Sequence, residues 1–236
     1  MLAGKHSHAF SNILYKFKEA GYNVSYQLLN AKKFEVSQDR KRLIIVGYHK
    51  KLGEIFEFTK QSQKVLTLKD AIYDLRLVEP IQSSGKVEKY YYKVPNHEYL
   101  DMEFSSIYMS RNRVRSWSEP SFTIQAGGRH APIHPQANKM IFVEPNRRIF
   151  DPSSSKPYRR LSVRECARIQ TFPDNFIFKY KNIAGGYKMV GNAVPVNFAR
   201  ILANKIMADM QEYHRLGFCT KLHQIEFARQ LSLINL

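Results

Sequence analysis

The chain has 236 residues, 44% of them hydrophobic and 13% aromatic, which is enough apolar material to bury a folded core. Lysines and arginines number 37 against 20 acidic residues, and the net charge of +17 favours a polyanion such as nucleic acid as the partner. Two cysteines are too few for a disulfide framework, and no cluster of Cys and His has the spacing of zinc ligands. No run of about 18 consecutive apolar residues occurs. We therefore expect a cytoplasmic protein with no metal and no membrane contact.

The first 50 residues show the pattern of a helix followed by two strands. Four apolar residues at helical spacing predict one packed helix face: Phe10, Ile13, Leu14 and Phe17. Gly21 follows where a left-handed helix cap would lie, and residues 24–29 have the composition of a strand. The continuous apolar run of residues 43–46 predicts a second strand that is buried on both faces. This opening segment is typical of an α/β scaffold.

From residue 53 to residue 158 the sequence changes to short aromatic and polar runs that proline and glycine interrupt. We predict long loops with short strands here. One short helix is predicted to begin at Thr67, whose hydroxyl could cap a turn that contains Asp70. An irregular basic segment inserted between regular elements indicates a reading module built onto an α/β scaffold.

Regular helix is predicted again in the last third of the chain. Ser162 and Glu165 stand at capping-box spacing, and Pro173 closes the segment that they begin. A further helix is predicted to begin near Pro195, a residue favoured at the first helical position. The tail of residues 214–236 could form another amphipathic helix.

Arginines stand in two patterns that suit an anionic ligand. Arg40 and Arg42 would lie on one side of an extended edge, where guanidinium groups suit phosphate or base carbonyls, although a solvated charge run explains this pattern equally well. Arg111, Arg113 and Arg115 alternate with other residues, so in a strand they would face one way and repel each other unless an anion lay between them. This segment predicts DNA contact, with a merely solvated edge strand as the alternative.

Two other features are weaker candidates. The turn of residues 191–195 leads into a helix whose free amide groups could bind a carboxylate or phosphate, although such turns are usually structural. His97, His130 and His134 lie in the basic segment without acidic or cysteine companions at ligand spacing. We therefore interpret these three as ordinary loop histidines and assign no metal to them.

Three segments carry dense residue patterns in a fixed order. Gln38-x-Arg40-x-Arg42 precedes an apolar strand, residues 160–174 read RLSVRECARIQTFPD, and residues 187–195 read YKMVGNAVP. In this order they resemble the eighth, ninth and tenth blocks of the bacterial cytosine-C5 DNA methyltransferases. Three further segments resemble the HaeIII-type subgroup, which modifies GGCC: residues 95–98, 109–115 and 120–126.

The resemblance implies a role for each matching residue. Arg40 and Arg42 would hold the DNA backbone and the cytosine, which must be flipped out of the stack. The target would be read, or the reading surface shaped, by Arg111, Arg113, Arg115, Thr123, Ile124 and Arg129. One side of the S-adenosyl-L-methionine (SAM) pocket would be closed by Asn192, Ala193 and Val194. The ninth-block helix would organise the recognition region, and Cys166 within it would be structural.

The resemblance also implies an α/β fold. It would combine the C-terminal part of a Rossmann-like SAM-dependent methyltransferase domain with an irregular, mainly β and loop target-recognition domain. We expect residues 1–58 in the catalytic domain, 59–178 in the recognition domain, 179–212 as the hinge and returning helix, and 213–236 as the tail.

Other features of this family are not found in the 236 residues. In the family a cysteine of a Pro-Cys dipeptide attacks C6 of cytosine, and the activated C5 takes the methyl group. The sequence contains no Pro-Cys dipeptide, no Gly-x-Gly loop for the methyl donor and no Glu-Asn-Val block. We expect the C-terminal portion of a restriction-modification methyltransferase, inactive alone, that acts on GGCC in double-stranded DNA with an N-terminal half supplied in trans.

Two alternatives stay open from the sequence. The chain could be a catalytically dead, sequence-specific DNA-binding fragment, or a disrupted gene remnant whose first helix and strand expose an apolar face. A pure binding module would have little reason to keep the cofactor-side turn at Asn192. The sequence therefore favours the enzyme subunit or the remnant, in the bacterial cytoplasm and associated with the nucleoid.

Overall fold

The computed structural model describes residues 7–52, 54–59, 61–84 and 93–215. The chain divides into two compact units. The first unit takes in the described residues of 1–29, 42–60 and 200–236, and the second unit those of 30–41 and 61–199. Across the described residues, no helix combines the length and apolarity that a membrane crossing needs, and no His, Cys, Asp and Glu side chains form a metal-binding group.

The first unit is built from helix and strand, as the sequence predicted. Helix α1 (Ser7–Glu19) leads to strand β1 (Tyr22–Asn30), which pairs with strand β2 (Lys41–His49), and helix α6 (Val196–Arg215) supplies most of its length to this unit. Gly21 has φ +88°, a left-handed conformation that glycine adopts without steric cost, so the predicted cap is confirmed. The tail helix predicted for 214–236 lies outside the described residues from residue 216 onward.

Aromatic side chains form the core of the first unit. The ring of Tyr48 packs edge to face against Phe56 and Tyr213, with centroid distances of 5.8 and 5.7 Å. Its hydroxyl donates a hydrogen bond of 2.7 Å to Asp209 on α6. Residues 43–46 of β2 are only half-buried, so the prediction of a strand covered on both faces is wrong. Their sheet has two strands, which are too few to enclose an apolar run.

Short elements joined by loops build the second unit, as predicted for residues 53–158. Its helices are α2 (Leu68–Ile72), α3 (Ser106–Met109), α4 (Val163–Ile169) and α5 (Ile183–Asn192). Its strands form two pairs, β3 (Ile81–Ser83) parallel to β4 (Glu98–Leu100) and β5 (Ile141–Glu144) antiparallel to β6 (Arg147–Ile149). The sequence did not predict α3 or α5.

Helix α4 lies within the main core of the second unit. Ser162 and Glu165 form the predicted capping box, in which each side chain accepts a hydrogen bond from the backbone amide of the other residue. Thr67 and Asp70 form the same motif at the start of α2. Cys166 is fully buried in the core, and burial raises the pKa of its thiol, as suits a structural residue.

A buried ionic cluster lies beside this capping box. The Arg159 guanidinium donates two hydrogen bonds of 2.8 Å to the Glu165 carboxylate, and the His134 ring nitrogen lies 3.4 Å from the same carboxylate. Burial favours a higher pKa for Glu165, but Arg159 outweighs burial and the pKa falls to about 2. Burial lowers the pKa of His134 to about 4, so His134 is neutral at pH 7.

We expect the second unit to lose stability as the pH falls below about 6.5, because histidine takes up a proton in the unfolded chain that folded His134 takes up only near pH 4. This histidine should lower the free energy of unfolding by about 3 kcal/mol between neutral pH and pH 4. Protonation of Glu165 adds to the loss below about pH 4.5, as the pH approaches its folded pKa.

Urea unfolding followed by circular dichroism at pH 7 and pH 5 tests this expectation. His134→Gln should reduce the difference between the two midpoints, and His97, whose pKa burial also lowers, should account for part of the remainder. His130→Gln, at an exposed position, is the control and should behave like the parent chain. A His134→Gln chain with the full pH dependence would contradict the role given to this histidine.

Candidate nucleic-acid interface

A cavity of about 280 Å³ in the second unit brings together most of the predicted reading residues. Arg111, Arg113, Arg115 and Thr123 line it. The rest of its wall comes from several chain segments: Asp39, Asn112, Phe122, Gln125, His130 and Pro132. Residues 111–115 are not a full strand, because only Val114 makes a bridge, to Ile133. The alternation nevertheless turns all three arginines towards one space, as predicted.

Arg111 and Arg113 differ in how firmly they are held. Arg113 donates hydrogen bonds to the carbonyl oxygens of Tyr108 (2.9 Å) and Ile107 (3.2 Å), and its guanidinium lies 4.7 Å from the centre of the Tyr108 ring. Arg111 is exposed and makes no hydrogen bond or ion pair with any described residue. The donors of Arg111 are therefore available to a ligand, whereas Arg113 is fixed in place by α3.

Arg115 has its own counterion. Its guanidinium lies 2.7 Å from the Glu119 carboxylate and 4.2 Å from the centre of the Phe122 ring. A hydrogen bond from the Ser116 amide and the pairing with Arg115 lower the pKa of Glu119 to about 2, so the carboxylate is charged at neutral pH. Glu119 thus relieves part of the repulsion expected among the three arginines.

The other predicted reading residues lie at different depths. Arg129 is exposed on the short 3-10 turn Gly128–His130. Thr123 lines the cavity, and its hydroxyl donates a hydrogen bond of 2.6 Å to the carbonyl of Asp39. Ile124 is fully buried in the main core, so it has no surface with which to touch a base. The shaping role that the resemblance implies for Ile124 would therefore act from beneath the surface, and it stays a prediction.

Arg40 is buried, with 4% of its surface exposed. Its guanidinium donates hydrogen bonds to the carbonyl oxygens of Ile124 (3.0 Å), Gly191 (3.0 Å) and Ala193 (3.2 Å). Arg42 is exposed on β2. The expectation that the two share one exposed edge is therefore wrong, because only Arg42 is exposed. These bonds favour a bracing role for Arg40 over the direct DNA contact that the resemblance implies.

Two backbone amides at the start of α6 are bonded within the protein. The amide of Val196 donates to the carbonyl of Gln170 (3.0 Å), and the amide of Asn197 donates to the Thr171 hydroxyl (2.9 Å). Both bonds lie at the start of the helix that was predicted near Pro195, which is confirmed. Protein groups satisfy these two donors, which leaves fewer amide groups for the suggested carboxylate or phosphate site at this helix end.

The residues expected to face SAM form an exposed corner. Asn192 ends α5, Ala193 follows as its cap, and Val194 is 55% exposed. Asn192 is also exposed, and the carbonyl of Ala193 accepts a hydrogen bond from Arg40. A polar amide beside an apolar side chain on a braced backbone fits one wall of a nucleoside site. These three residues do not enclose a cofactor by themselves.

No role was assigned from the sequence to His130 or Asp39, although both line the cavity. His130 was interpreted as an ordinary loop histidine, but it lines the cavity and is exposed. Asp39 also lines it, and its carboxylate accepts hydrogen bonds from Asn30 (2.8 Å) and Lys32 (3.5 Å). The position of Asp39 between Gln38 and Arg40 was the available signal. Nothing local distinguished His130 except its neighbour Arg129.

The chain is similar over most of its length to known DNA-modifying enzymes. Residues 1–208 match the family described as C-5 cytosine-specific DNA methylase. Type II methyltransferase M.MthTI of Methanothermobacter thermautotrophicus is 60% identical over 206 residues, which cover 87% of this chain and 62% of that protein. Type II methyltransferase M.FnuDI of Fusobacterium nucleatum is 45% identical over 222 residues, covering 92% and 64%. The chain spans a little under two thirds of the length of these relatives.

Solved structures share the fold at low sequence identity. A DNA modification methyltransferase encoded within an E. coli prophage gives a TM-score of 0.59 at 16% identity, covering 89% of this chain and 67% of that chain. The Entamoeba histolytica methyltransferase EhMeth gives 0.55 at 13% identity, covering 85% and 58%. The likeness concerns the fold alone, and it confirms the expectation of an α/β fold of the methyltransferase type.

Gly191 joins the tenth-block turn to the cavity wall. A Cβ atom at this position would lie 2.3 Å from the carbonyl oxygen of Gln125, which is backbone and cannot move aside easily. We expect Gly191→Ala to lower the free energy of unfolding by about 1–3 kcal/mol, because the clash separates two packed segments. Gly127→Ala is the matched control, since its nearest contact would be 3.5 Å from His130.

Urea unfolding of both variants, followed by the fluorescence of the single tryptophan Trp117, measures this difference. The second unit holds Trp117, so the signal reports on the unit that contains both glycines. Equal stability of the two variants would contradict the close approach at Gly191.

Proposed function

Because this chain belongs to the C-5 cytosine-specific DNA methylase family, we propose that it is the target-reading part of a DNA (cytosine-5-)-methyltransferase of a restriction-modification system. The observation that carries the proposal is the cavity in which Arg111, Arg113 and Arg115 converge beside Thr123. The similar Type II methyltransferases support it. Its partner would be double-stranded DNA, in the cytoplasm and at the nucleoid.

The proposed target is GGCC. Residues 95–98, 109–115 and 120–126 resemble the HaeIII-type subgroup, and the chemistry of the cavity supports a guanine-rich site. The guanidinium fork of arginine matches the O6 and N7 atoms of guanine. Arg111 has free donors for such a pair, and Arg113 keeps donors beyond the two that hold it against α3. An arginine already fixed in place loses less entropy on binding.

We propose different roles for the two arginines of the eighth block. Arg42 is exposed and is our candidate for contact with the DNA backbone and the flipped cytosine. Arg40 is a positioning residue, because its three hydrogen bonds to carbonyl oxygens connect the eighth block with the cavity wall and the tenth-block turn. The proposed domain boundaries at residues 58, 178 and 212 stay predictions.

Asn192, Ala193 and Val194 are proposed as one wall of the SAM site. SAM supplies the methyl group when bound, and these residues would hold one side of it in place. The nucleophilic cysteine and the remaining walls would come from polypeptide outside the 236 residues, which contain no Pro-Cys dipeptide and no Gly-x-Gly loop. The first unit supports this need, because α1 and β1 expose apolar side chains: Ile13, Tyr15, Phe17, Tyr26 and Leu28.

Arg111 provides the test of target reading. We expect Arg111→Ala to weaken binding to a GGCC duplex by about 1–3 kcal/mol while binding to a scrambled duplex falls much less. Arg111→Lys keeps the charge without the fork, so it should restore binding to scrambled DNA but not the preference for GGCC. Arg76→Ala, at an exposed arginine outside the cavity, is the control. Equal losses on both duplexes would make Arg111 a phosphate contact.

Methyl transfer provides a second test. Bisulfite sequencing should find no C5 methylation of GGCC after treatment with this chain and SAM, because these residues offer no Pro-Cys nucleophile. Addition of the region of M.MthTI that lies outside the match should restore methylation. In that mixture Arg42→Ala should reduce turnover, whereas Lys50→Ala, another exposed cation of the first unit, should not.

Methylation by the chain alone would overturn the proposed dependence on outside polypeptide. Methylation restored equally in the Arg42→Ala mixture would refute the role of Arg42. Specific binding to GGCC without any methylation in the mixture would favour a binding module that has lost its enzyme.

A further inference from the structure

The β5–β6 hairpin exposes apolar side chains that the chain itself does not cover. Ile141 pairs with Ile149 across the two strands, and Phe142 pairs with Arg148. Phe142 is 59% exposed, and Ile141, Val143 and Ile149 are each exposed by more than 40%. Apolar side chains concentrated on a two-stranded ribbon are unfavourable in water unless another molecule covers them.

The base of the hairpin is rooted in the segment that carries the reading arginines. Met140, just before β5, is 4% exposed, and its amide donates a hydrogen bond of 3.1 Å to the Asn112 side chain. The amide of Arg113 in turn lies 3.4 Å from the Met140 sulfur. Phe150, just after β6, stacks on Tyr158 with a centroid distance of 4.1 Å. The hairpin therefore projects from the cavity wall on a packed base.

Two arginines lie on β6. Arg147 begins β6 just after the turn, and Glu144 ends β5 just before it. The Arg148 guanidinium lies nearer the base, where it donates a hydrogen bond of 3.5 Å to the carbonyl oxygen of Met140. The pair of Arg147 with Glu144 is exposed, at 65% and 56% of the side chains, so it contributes little and yields easily to a phosphate. Arg148 lies 5.2 Å from the centre of the Phe142 ring, which holds its guanidinium along the ribbon.

We propose that the β5–β6 hairpin is a second DNA-binding element, which follows the duplex beside the target site. Arg147 and Arg148 contact backbone phosphates there, and Phe142 with its apolar neighbours lies against the sugars and base edges of a groove. The major groove admits a two-stranded ribbon of this size. This inference rests on the proposed function, which gives the position of the target site. The contacts of the hairpin itself do not depend on the base sequence of the DNA.

Charge and anchoring favour DNA over a protein as the occupant of the hairpin. The two arginines on β6 complement phosphates, and a protein-binding ribbon would have no need to share hydrogen bonds with the cavity segment. Because the base of the hairpin is bonded to Asn112 of the cavity wall, a duplex read at the cavity would bring its phosphates towards the hairpin. Contacts of this kind add affinity and fix the register of the protein on the duplex, while the cavity supplies the base preference.

Salt dependence of binding tests the proposal with the full chain. Fluorescence anisotropy with a GGCC duplex and a scrambled duplex, between 50 and 200 mM KCl, gives the slope of log K against log salt. Each lost phosphate contact should reduce that slope by about 0.9. Arg147→Ala should therefore lower it by about 0.9, and the double variant Arg147→Ala/Arg148→Ala by nearly twice as much, on both duplexes alike. When the salt rises over this range, the affinity of the double variant should therefore fall about tenfold less than the affinity of the parent chain.

The controls separate the hairpin from general charge. Arg147→Lys should keep the parent slope. Arg215→Ala removes an equally exposed arginine that is paired with a glutamate three residues away, and it should leave the slope unchanged. Phe142→Ala should weaken binding several-fold without changing the slope.

An unchanged slope in the double variant overturns the proposal. The same holds if the slope is unchanged and the variant alters self-association of the chain, because the hairpin would then bind protein. A lost GGCC preference with a reduced slope would place Arg147 and Arg148 in base reading and also overturn it. A parent chain that shows no GGCC preference, together with a reduced slope in the variant, refutes the target assignment and leaves the hairpin as a DNA contact.

Discussion

Buried guanidinium groups hold the second unit together. The unit consists mostly of loops, whose carbonyl oxygens lack the partners that strands or helices would give them. Arg160 donates to the carbonyls of Leu100, Met102 and Glu103, and Arg164 donates to those of Pro95, Pro173 and Phe176. Each carbonyl left without its donor would cost about 1–3 kcal/mol, so these arginines are needed by the fold before any DNA is bound.

The same groups decide how much of the positive charge is available to a ligand. The net charge of +17 includes Arg40, Arg159, Arg160 and Arg164, all of which are buried. Arg159 is neutralised by Glu165, and the others face carbonyl dipoles. The cations left for a polyanion are the exposed ones. In the second unit they include Arg111 at the cavity, whose wall the buried arginines keep in place.

A rigid wall also accounts for the arrangement of the proposed contacts. Arg40 bonds to the carbonyl of Ile124, directly beside Thr123, and Arg113 is held against α3. A reading group that is fixed before binding, as proposed for Arg113, would lose little entropy when it meets a base, which would sharpen discrimination. The hairpin projects from this wall through Met140. A base-reading cavity and a phosphate-binding ribbon on one support would divide specificity and affinity between them.

Local signals in the sequence predicted the local structure. Each capping box, at Thr67 and at Ser162, needs only residues three positions apart, and the left-handed turn at Gly21 needs only a glycine after a helix. The ordered motifs were enough for the family, because they repeat residue types that the family requires. The roles assigned to the reading residues, from Arg111 to Arg129, stay predictions.

Burial was decided by the tertiary structure. The local sequence indicates a surface cation at Arg40, beside Arg42. The carbonyl oxygens that accept its hydrogen bonds lie 84 to 153 residues further along the chain, so no local pattern can show them. Helix α5 was missed because its glycines argue against a helix, whereas Gly191 is required there by backbone 2.3 Å from where a Cβ would lie. The sequence by itself determined the family and the starts of α2, α4 and α6, and only long-range packing decided which arginines brace the fold and which ones face outward.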